Sequence, residues 1–343
     1  MGHARLRDIA EKLGVSVSAV SKALHGSPEI GEDLRLKIVH TAEMLDYHPN
    51  NSARVLRLGK SLRLGVILPS FSGVYADILA GIEEYAKPEG YSVVVLNTQN
   101  QREMEVSAVS MLVSMPVDAI LAVPVSLENY KGILFPIIFL SRFPYRSIPG
   151  LVKPRREFSY VVMDDFEGQR IATEHLIRCC GNNVYIALGC KDTSNVWGIK
   201  DQIRIAGYKQ ALTDMGFSFE VDHVFWGAID TSSGYAVVSR ICQTAKPPFG
   251  LCVNDDITAI GALHAIRDSG LSVPEDVCLI GYDNLDFCPH LMPPLTTIYS
   301  QKQSAGKLAA QYVIKVLRTG ETQRLQHIFR PILCVRSSTM DKT

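Results

Sequence analysis

The first fifty residues place apolar and polar positions with a helical period. Apolar residues at three- and four-residue spacing give LRDIAEKL one apolar face, and Gly14 follows it where a helix can end. A second amphipathic segment, SVSAVSKALHG, begins at Ser16, a favourable N-cap residue. A third segment, EDLRLKIVHTAEMLDY, carries a further apolar stripe. The pattern predicts three short helices in a small bundle, and the first two form a helix-turn-helix.

From Leu64 onwards the pattern changes to short, continuously apolar runs separated by helix-length amphipathic stretches. Such runs are typical of strands that are buried on both faces of a parallel sheet. The eight candidate strands are 64–68, 91–96, 119–123, 137–140, 160–163, 184–188, 250–253 and 277–282. Alternation of strand and helix predicts doubly wound parallel sheets. Because a less regular region near 141–158 interrupts the series, two lobes fit better than one.

The stretch 47–60, YHPNNSARVLRLGK, joins these two regions. Asn50 or Asn51 can cap a helix that starts at Ser52. Gly59 can end that helix after one or two turns. An isolated helix needs roughly 12–15 residues to hold in water. The stretch is therefore predicted to be a conditional helix, which forms only against a partner.

Composition and charge narrow the class of protein. With 343 residues, 47% of them hydrophobic and 20% charged, the chain has the balance of an ordinary globular protein with two or three cores. The net charge is zero, yet residues 1–63 hold ten Lys and Arg against seven Asp and Glu. This asymmetry favours a nucleic-acid module at the N-terminus, although chance is the alternative.

Other features bear on the cellular compartment. No apolar stretch is long enough to span a membrane, and the charged first 25 residues argue against a signal peptide. The eight cysteines include no C-x-x-C pair, which favours reduced thiols over a zinc site or a disulfide framework. We therefore expect a cytoplasmic protein.

Two groups of residues are candidates for ligand contact. If the second helix enters the major groove of DNA, Val17, Ser18 and Lys22 lie on its outward face. Lys22 can then donate to guanine and Val17 can touch a thymine methyl group. A solvated helix face is the alternative.

The second group follows the strands, since ligands of parallel α/β sheets bind beyond the carboxyl ends of the strands. These polar or aromatic residues are Ser72, Tyr75, Asp164, Asp165, Asn254, Asp255, Asp256 and Asp283. They suit a sugar-like or other small polar ligand. Acids in this position also serve as helix N-caps, which is the alternative for Asp164, Asp165, Asp255 and Asp256 individually.

Catalytic motifs are absent from the sequence, which has no G-x-S-x-G elbow, G-x-x-x-x-G-K-[ST] loop, H-E-x-x-H pair or G-x-G-x-x-G turn. The nine histidines do not cluster at metal-ligand spacing. We therefore expect no enzyme, no cofactor and no metal site. A transporter's solute-binding protein would share the two-lobed core, but it should carry a signal peptide and lack the N-terminal helices.

The run IAEKLGVSVSAVSKALHG, followed later by YHPNNSARVL, resembles the DNA-binding headpiece and hinge of the lactose-repressor/galactose-repressor (LacI/GalR) family. The stretches IRIAGYKQAL, VNDDITAIGALHAIRDSGLSVPEDVCLIGYDN, PPLTTI and VRSST resemble landmarks of its effector core. The resemblance covers nearly the whole chain. It implies an all-α helix-turn-helix headpiece plus an α/β two-lobed periplasmic-binding-protein-like core of two doubly wound parallel sheets.

The resemblance also implies domain boundaries. The helix-turn-helix headpiece is expected at 1–48, the hinge helix at 49–60 and the effector-binding and dimerisation core at 61–343. Within the core, the N-lobe is expected at about 61–158 plus 289–320, and the C-lobe at about 159–288 plus 321–343. Arg5 and Gly31 stand where the family usually caps its first and third helices with Ser or Thr, so both caps are weaker here.

In the family, Ala53 lets two hinge helices approach each other, and Leu56 wedges into the minor groove at the operator centre. An apolar wedge of this kind unstacks one base step and bends the DNA onto the protein. The alternative for Leu56 is a core leucine. The predicted DNA-binding residues are Ser16, Val17, Ser18, Ser21, Lys22, Asn50, Ala53, Arg54 and Leu56.

For the effector pocket, Arg204 matches the arginine of the family's R-x-x-G motif that clamps the effector. Asp283, in GYDN, matches the effector-binding aspartate. Val74 and Tyr75 match a pair of aromatic residues, one of which is lost here. Ile229 stands where many members have an aromatic stacker.

Two departures alter the pocket. The segment 190–203 is several residues longer than is usual in the family, and its Trp197 could replace the missing stacking surface. An extra residue in NDDITAIG leaves Asn254 and Asp255 as alternatives for the ligand-facing position. The predicted effector-binding residues are Ser72, Val74, Tyr75, Asp164, Trp197, Arg204, Asn254, Asp255 and Asp283.

Taken together, the residues and the resemblance predict a transcriptional repressor that binds a near-palindromic operator as a homodimer. A small polar effector, a sugar or a sugar derivative, is expected to switch its operator affinity from the cleft between the lobes. The alternative is a regulator that depends on a corepressor or a partner protein. VRSST is followed only by MDKT, without a leucine-heptad tail, so a dimer is expected over a tetramer.

Overall fold

The computed structural model describes residues 4–24, 27–47, 59–148, 153, 155–321 and 323–339. The chain divides into two units, Met1–Ser61 and Leu62–Thr343. Of the predicted DNA-binding residues, Asn50, Ala53, Arg54 and Leu56 lie outside the described residues.

The described residues of the N-terminal unit form three helices, as their apolar periodicity predicts. They are α1 (Leu6–Leu13), α2 (Val17–Leu24) and α3 (Glu32–Met44). Each helix sends one fully buried aliphatic side chain to the centre of the unit, namely Ile9, Val20 and Ile38. Small alanines beside these side chains let the helices approach closely.

The turn between α1 and α2 depends on two residues. Gly14 ends α1 with a φ of +64°, a left-handed conformation that glycine adopts at little cost. The Oγ of Ser16 accepts a hydrogen bond from the backbone N–H of Ala19 at 3.1 Å and so caps α2. The predicted helix-turn-helix is therefore confirmed.

The first lobe of the core contains a parallel sheet of six strands. They are β1 (Arg63–Leu68), β2 (Ser92–Asn97), β3 (Ala119–Ala122), β4 (Ile137–Leu140), β5 (Ser159–Met163) and β11 (Gln326–Phe329). Their order across the sheet is β11-β5-β4-β3-β1-β2. The helices α4 (Val74–Ala86), α5 (Arg102–Ser114) and α10 (Lys302–Thr319) pack against this sheet.

The second lobe contains another six strands. They are β6 (Val184–Leu188), β7 (Val224–Trp226), β8 (Phe249–Val253), β9 (Val277–Asp283), β10 (Thr296–Tyr299) and β12 (Ile332–Cys334). The order is β12-β10-β9-β8-β6-β7, and only β12 runs antiparallel to its neighbour. The helices of this lobe are α6 (Asp165–Cys180), α7 (Val196–Asp214), α8 (Thr231–Thr244) and α9 (Asp256–Asp268). The predicted pair of doubly wound lobes is therefore confirmed.

All eight predicted strands are present, and four further strands (β7, β10, β11 and β12) have no counterpart in the prediction. Three of these four are half-buried or exposed along much of their length. They are also only three or four residues long. A short strand of mixed polarity does not produce the continuous apolar run by which the others were recognised.

The sheet pairing differs from the predicted lobe boundaries. Strand β5 was expected in the C-lobe, but it pairs with β4 and β11 in the first sheet. Strand β10 was expected in the N-lobe, but it pairs with β9 in the second sheet. The chain therefore passes between the lobes after β5, before α10 and between β11 and β12. Sequence order does not reveal such exchanges, because strand neighbours are chosen by tertiary packing.

Candidate functional site

The exposed face at the start of α2 carries the predicted DNA-reading residues of the headpiece. Ser16, Val17, Ser18 and Lys22 are all exposed, and Ser21 is half-buried. Val17 leaves 43% of its surface in water although it is aliphatic, so it takes no part in the core of the headpiece. The arrangement presents one apolar, one cationic and several hydroxyl groups on one short helix.

Lys22 has an acidic neighbour on the loop that follows α2. Its Nζ lies 2.5 Å from an Oε of Glu29, and both side chains are exposed. The hydrogen bond from Lys22 lowers the pKa of the Glu29 carboxyl. An exposed ion pair of this kind is weak and is screened by salt. Lys22 can therefore exchange Glu29 for a nucleic-acid acceptor.

In the core, a cavity of about 160 Å³ lies between the two lobes at the carboxyl ends of their strands. The first lobe contributes residues that follow β1, β2 and β4, namely Ser70, Ser72, Asn100, Ser141 and Arg142. The first turn of α4 adds Val74 and Tyr75, and α10 begins with Lys302. This position agrees with the rule for open parallel sheets.

The second lobe completes the wall. Asn254 and Asp255 follow β8, Asp283 ends β9, and Trp197 and Lys200 lie on the first turns of α7. Seven of the nine predicted effector-binding residues therefore line one cavity. Trp197 lies in the first turn of α7, which begins within the longer segment 190–203, and Asn195 caps this helix by accepting from the N–H of Gly198.

Arg142 is a cavity residue that the sequence did not single out. Its guanidinium donates hydrogen bonds to the amide oxygen of Asn100 and to the hydroxyl of Tyr75. It also stacks over the ring of Trp197, 4.5 Å from the ring centroid. The aromatic surface of Trp197 is therefore shared with a protein cation rather than left entirely to a ligand.

Asn254 and Asp255 were alternatives for the ligand-facing position, and both line the cavity. The Nδ2 of Asn254 donates to Asp255 at 2.9 Å, and the other carboxylate oxygen of Asp255 caps α9 through the N–H and hydroxyl of Thr258. The Oδ1 of Asn254 is buried and has no hydrogen-bond partner within the described part of the chain. That acceptor is available to a ligand donor.

Arg204 does not line the cavity, which corrects the expected contact with the effector. It is fully buried in the second lobe and donates to Gln169 and to the backbone carbonyls of Val253 and Asn254. Its guanidinium stacks on the ring of Tyr282 at 4.2 Å. In this structure it therefore supports the residues that line the cavity.

Asp164 is also absent from the cavity wall. One of its carboxylate oxygens accepts hydrogen bonds from the hydroxyl of Tyr145 at 2.9 Å and from the N–H of Glu167 at 3.1 Å. Asp164 is thus the N-cap of α6, which was the structural alternative for this residue.

Three residues of the cavity wall have an unusual backbone conformation. Asn100, Ser141 and Asp283 have φ values of +58°, +61° and +105°, a region that residues with a side chain seldom adopt. All three line the cavity. Such conformations persist where the surrounding structure imposes them, and they are common at ligand sites.

Asp256 lies behind the cavity wall and is fully buried. Its carboxylate accepts hydrogen bonds from the hydroxyl of Thr297 at 2.6 Å and from the N–H of Leu285 at 2.8 Å. Burial raises the pKa of Asp256 to about 7, although the bond from Thr297 opposes this change. The carboxyl group thereby ties the end of β9 to β10.

A second, larger cavity of about 710 Å³ lies between the loop after β3 and the start of α7. Its polar lining residues are exposed or half-exposed, as for Lys153 and Arg155. In the smaller cavity, by contrast, Ser141, Arg142, Asn254 and Lys302 are each at least nine-tenths buried. A ligand site requires such fixed polar groups, so the smaller cavity is the stronger candidate.

Each of the two units of the chain contains a region that matches a known protein family. Residues 184–339 match the profile of the periplasmic binding protein-like domain, and residues 5–50 match that of bacterial regulatory proteins of the lacI family. The chain therefore combines a LacI-type helix-turn-helix domain with a periplasmic-binding-protein-like domain. It is therefore a DNA-binding transcriptional repressor and not an enzyme.

Full-length relatives support the assignment. The HTH-type transcriptional repressor PurR of Aliivibrio fischeri (strain MJ11) is 27% identical over 352 residues, which cover 99% of each chain. PurR of Haemophilus influenzae (strain PittEE) is 28% identical and covers 98% of each chain. Both headpiece and core of the repressor thus have counterparts in these relatives.

Solved structures share the fold. The lac repressor bound to ONPG in the repressed state has a TM-score of 0.81 and 25% identity, over 98% of this chain and 100% of its own. The lac repressor dimer bound to operator and the anti-inducer ONPF has a TM-score of 0.84 at 24% identity, over 99% of this chain and 100% of its own. The cellobiose complex of the regulator CelR has a TM-score of 0.69 at 22% identity, over 98% of this chain and 99% of its own. In the described part of the repressor, no helix is both long and apolar enough to cross a membrane.

The raised pKa of Asp256 predicts a pH-dependent stability. Between pH about 4 and 7 the folded protein keeps a proton that the unfolded chain has released, so the free energy of unfolding falls as the pH rises. The slope from this residue is at most about 1.4 kcal/mol per pH unit, and it vanishes above pH about 7. In urea unfolding, the free energy of unfolding of Asp256→Asn should therefore rise relative to that of the wild type as the pH increases from about 4 to 7.

The matched control is Asp268→Asn, because Asp268 is an exposed carboxylate at the end of α9. It makes the same exchange of Asp for Asn at a solvent-exposed position instead of a buried one. Parallel pH profiles for the wild type and Asp256→Asn would contradict the assignment.

Proposed function

We propose that the affinity of this repressor for its operator is set by a small effector bound in the cavity between the two lobes. The observation that carries the proposal is the cavity itself. It collects buried polar groups from the strand ends of both sheets, and one of them, the Oδ1 of Asn254, lacks a partner among the described residues. A ligand there contacts both lobes at once, so its binding energy depends on how they are arranged.

On the DNA side, Ser16, Val17, Ser18, Ser21 and Lys22 are proposed to read bases or to hold the backbone at the major groove. The exposure of Val17 and of Lys22 supports this role. The hinge residues Asn50, Ala53, Arg54 and Leu56 are proposed to contact the minor groove on the basis of the family resemblance.

The Lys22→Ala variant should lose discrimination at one base pair of the preferred site. A bidentate contact between lysine and guanine contributes about 1–3 kcal/mol of discrimination against other bases. The measurement is selection of sites from random duplex DNA, followed by titration of single-base variants. Lys315→Ala in α10 is the matched control, since it removes the same charge from an exposed position of the core. A uniform loss over all sequences would instead make Lys22 a phosphate contact.

The Leu56→Ala variant should weaken binding to the selected DNA while the core remains folded, because the wedge at the bend is removed. Gel-shift titration gives the affinity, and the thermal unfolding temperature reports the core. Leu134→Ala is the matched control, since Leu134 is almost fully exposed in the core. Equal affinities for Leu56→Ala and the wild type would exclude the wedge role.

We further propose that the repressor acts in the cytoplasm as a homodimer on a near-palindromic operator. The dimer in the related lac repressor structure supports this assembly. A dimer brings two headpieces to two half-sites, which one short headpiece cannot span. Movement of the lobes would then change the separation of the two hinges.

The effector is proposed to be a small polar molecule, a sugar or a sugar derivative, and the cellobiose complex of CelR supports this class. The ligand contacts are proposed to be Ser72, Val74, Tyr75, Trp197, Asn254, Asp255 and Asp283, with Arg204 acting through Asn254. A ligand that promotes DNA binding, as a corepressor does, is the second candidate for the direction of the response.

A ligand that binds the cavity should change operator affinity by about 5- to 150-fold, the usual range of allosteric coupling. A thermal-shift screen of small polar metabolites identifies ligands, and gel-shift titration with and without each of them measures the coupling. Asp283→Asn should reduce the response and keep the affinity for DNA in the absence of ligand. A ligand that binds this cavity without any change in DNA affinity would refute the switch.

A further inference from the structure

Three cationic side chains line the cavity, and each comes from a different element. Arg142 follows β4, Lys200 lies on α7 and Lys302 begins α10. Arg142 and Lys302 are each only 6% exposed, and the side chain of Lys200 is 15% exposed. Cations are rarely buried to this extent without a paired anion, because the loss of hydration is costly.

The hydrogen-bond partners of two of these cations are neutral. Lys302 can donate three hydrogen bonds, and the one acceptor that the described residues give it is the hydroxyl of Ser141, at 3.1 Å. Arg142 donates to the amide of Asn100 and the hydroxyl of Tyr75. Neither cation has a carboxylate within ion-pair distance in the described part of the chain.

Lys200 is only loosely paired. Its Nζ lies 3.9 Å from the nearer carboxylate oxygen of Asp165, which is beyond hydrogen-bond distance. Of the cavity carboxylates, Asp255 already caps α9 and accepts from Asn254. The acidic residues of the cavity therefore do not neutralise its cations by direct contact.

Burial lowers the pKa of Lys302, Asp283 and Asp165 oppose this change, and the smaller effects of Lys200 and Arg142 lower the pKa further. The three cations thus share one electrostatic environment. An anion placed among them would gain charge-assisted hydrogen bonds from donors that have few other acceptors.

We propose that the effector carries an oxyanion, a carboxylate or a phosphate, which Arg142, Lys200 and Lys302 bind, while its hydroxyl groups face Asn254 and Asp283. This inference rests on the proposed function of the same cavity. The cavity of about 160 Å³ restricts the ligand to a compact molecule. An acidic or phosphorylated polyol or monosaccharide meets both requirements.

The test is calorimetric titration of the full chain with matched sets of compounds. One set is glycerol, glycerate and glycerol phosphate, and the other is galactose, galacturonate and galactose phosphate. Acetate and inorganic phosphate are added as bare anions. The expected result is that at least one anionic compound binds and that its neutral parent does not. Comparison of the acid with the phosphate ester then distinguishes the two oxyanions.

The Lys302→Met variant should bind the anionic ligand about ten- to a hundredfold more weakly, since a hydrogen bond to a charged group is removed. Lys315→Met, an exposed position of the same helix, should bind it as the wild type does. Lys200→Met provides a second cavity variant. Without ligand, Lys302→Met should unfold at the same temperature as the wild type or higher, because a buried cation with one neutral partner has been removed.

The possible results distinguish the proposed binding of an anion from the proposed control of operator affinity by the ligand. Binding of a neutral parent with undiminished affinity in Lys302→Met would overturn the anion assignment, even if the compound changes operator affinity. Failure of every anionic compound to bind at millimolar concentration would overturn it as well. A marked fall in the unfolding temperature of unliganded Lys302→Met would identify the lysine as structural. An anion that binds through Lys302 but leaves operator affinity unchanged would support the inference and refute the switch.

Discussion

Arg204 carries a positive charge into the interior of the second lobe, where its guanidinium joins four elements. It extends from α7, donates to Gln169 on α6 and to the backbone carbonyls of Val253 and Asn254 at the end of β8, and stacks on Tyr282 of β9. A buried charge is tolerated only when its donors are satisfied, so these acceptors cannot move apart independently. The positions of Asn254 and Asp255 at the cavity depend on this contact.

The first lobe fixes its side of the cavity differently. Arg142 is held by neutral hydrogen bonds and by the ring of Trp197, which comes from the second lobe. The stacking is therefore a contact between lobes, made by a residue that also lines the cavity. A ligand anion would draw on the same guanidinium, and binding would be coupled to the fit between the lobes. The stacking of Arg142 on Trp197 is thus a contact between lobes that a bound ligand can change, as the proposed switch requires.

Most of the predicted DNA-contacting residues of the headpiece are exposed, in contrast to the buried polar residues of the cavity. The core of the headpiece is small, with Ile9, Val20 and Ile38 at the centre, and its reading face is open to solvent. The exposed pair between Lys22 and Glu29 is weak enough to be exchanged when DNA arrives. The predicted DNA contacts are thus mostly exposed surface groups, whereas the proposed effector cavity contains buried polar groups, and three of its residues have a positive φ. The two sites differ in exposure, as expected if one contacts the large charged surface of DNA and the other encloses a compact ligand.

Periodicity and local signals in the sequence determined the three headpiece helices, the eight apolar strands and the two-lobed class, because each depends on residues close together in the chain. The loops after β1, β8 and β9 could likewise be assigned to a ligand site. The short strands β7, β10, β11 and β12, and the exchange of strands between lobes, were decided by tertiary packing. The same is true of Arg142, Lys200 and Lys302, which belong to no shared motif and meet only when the strand ends are brought together. Local sequence can specify an element, but the burial and pairing of its charges depend on neighbours that are distant in the chain.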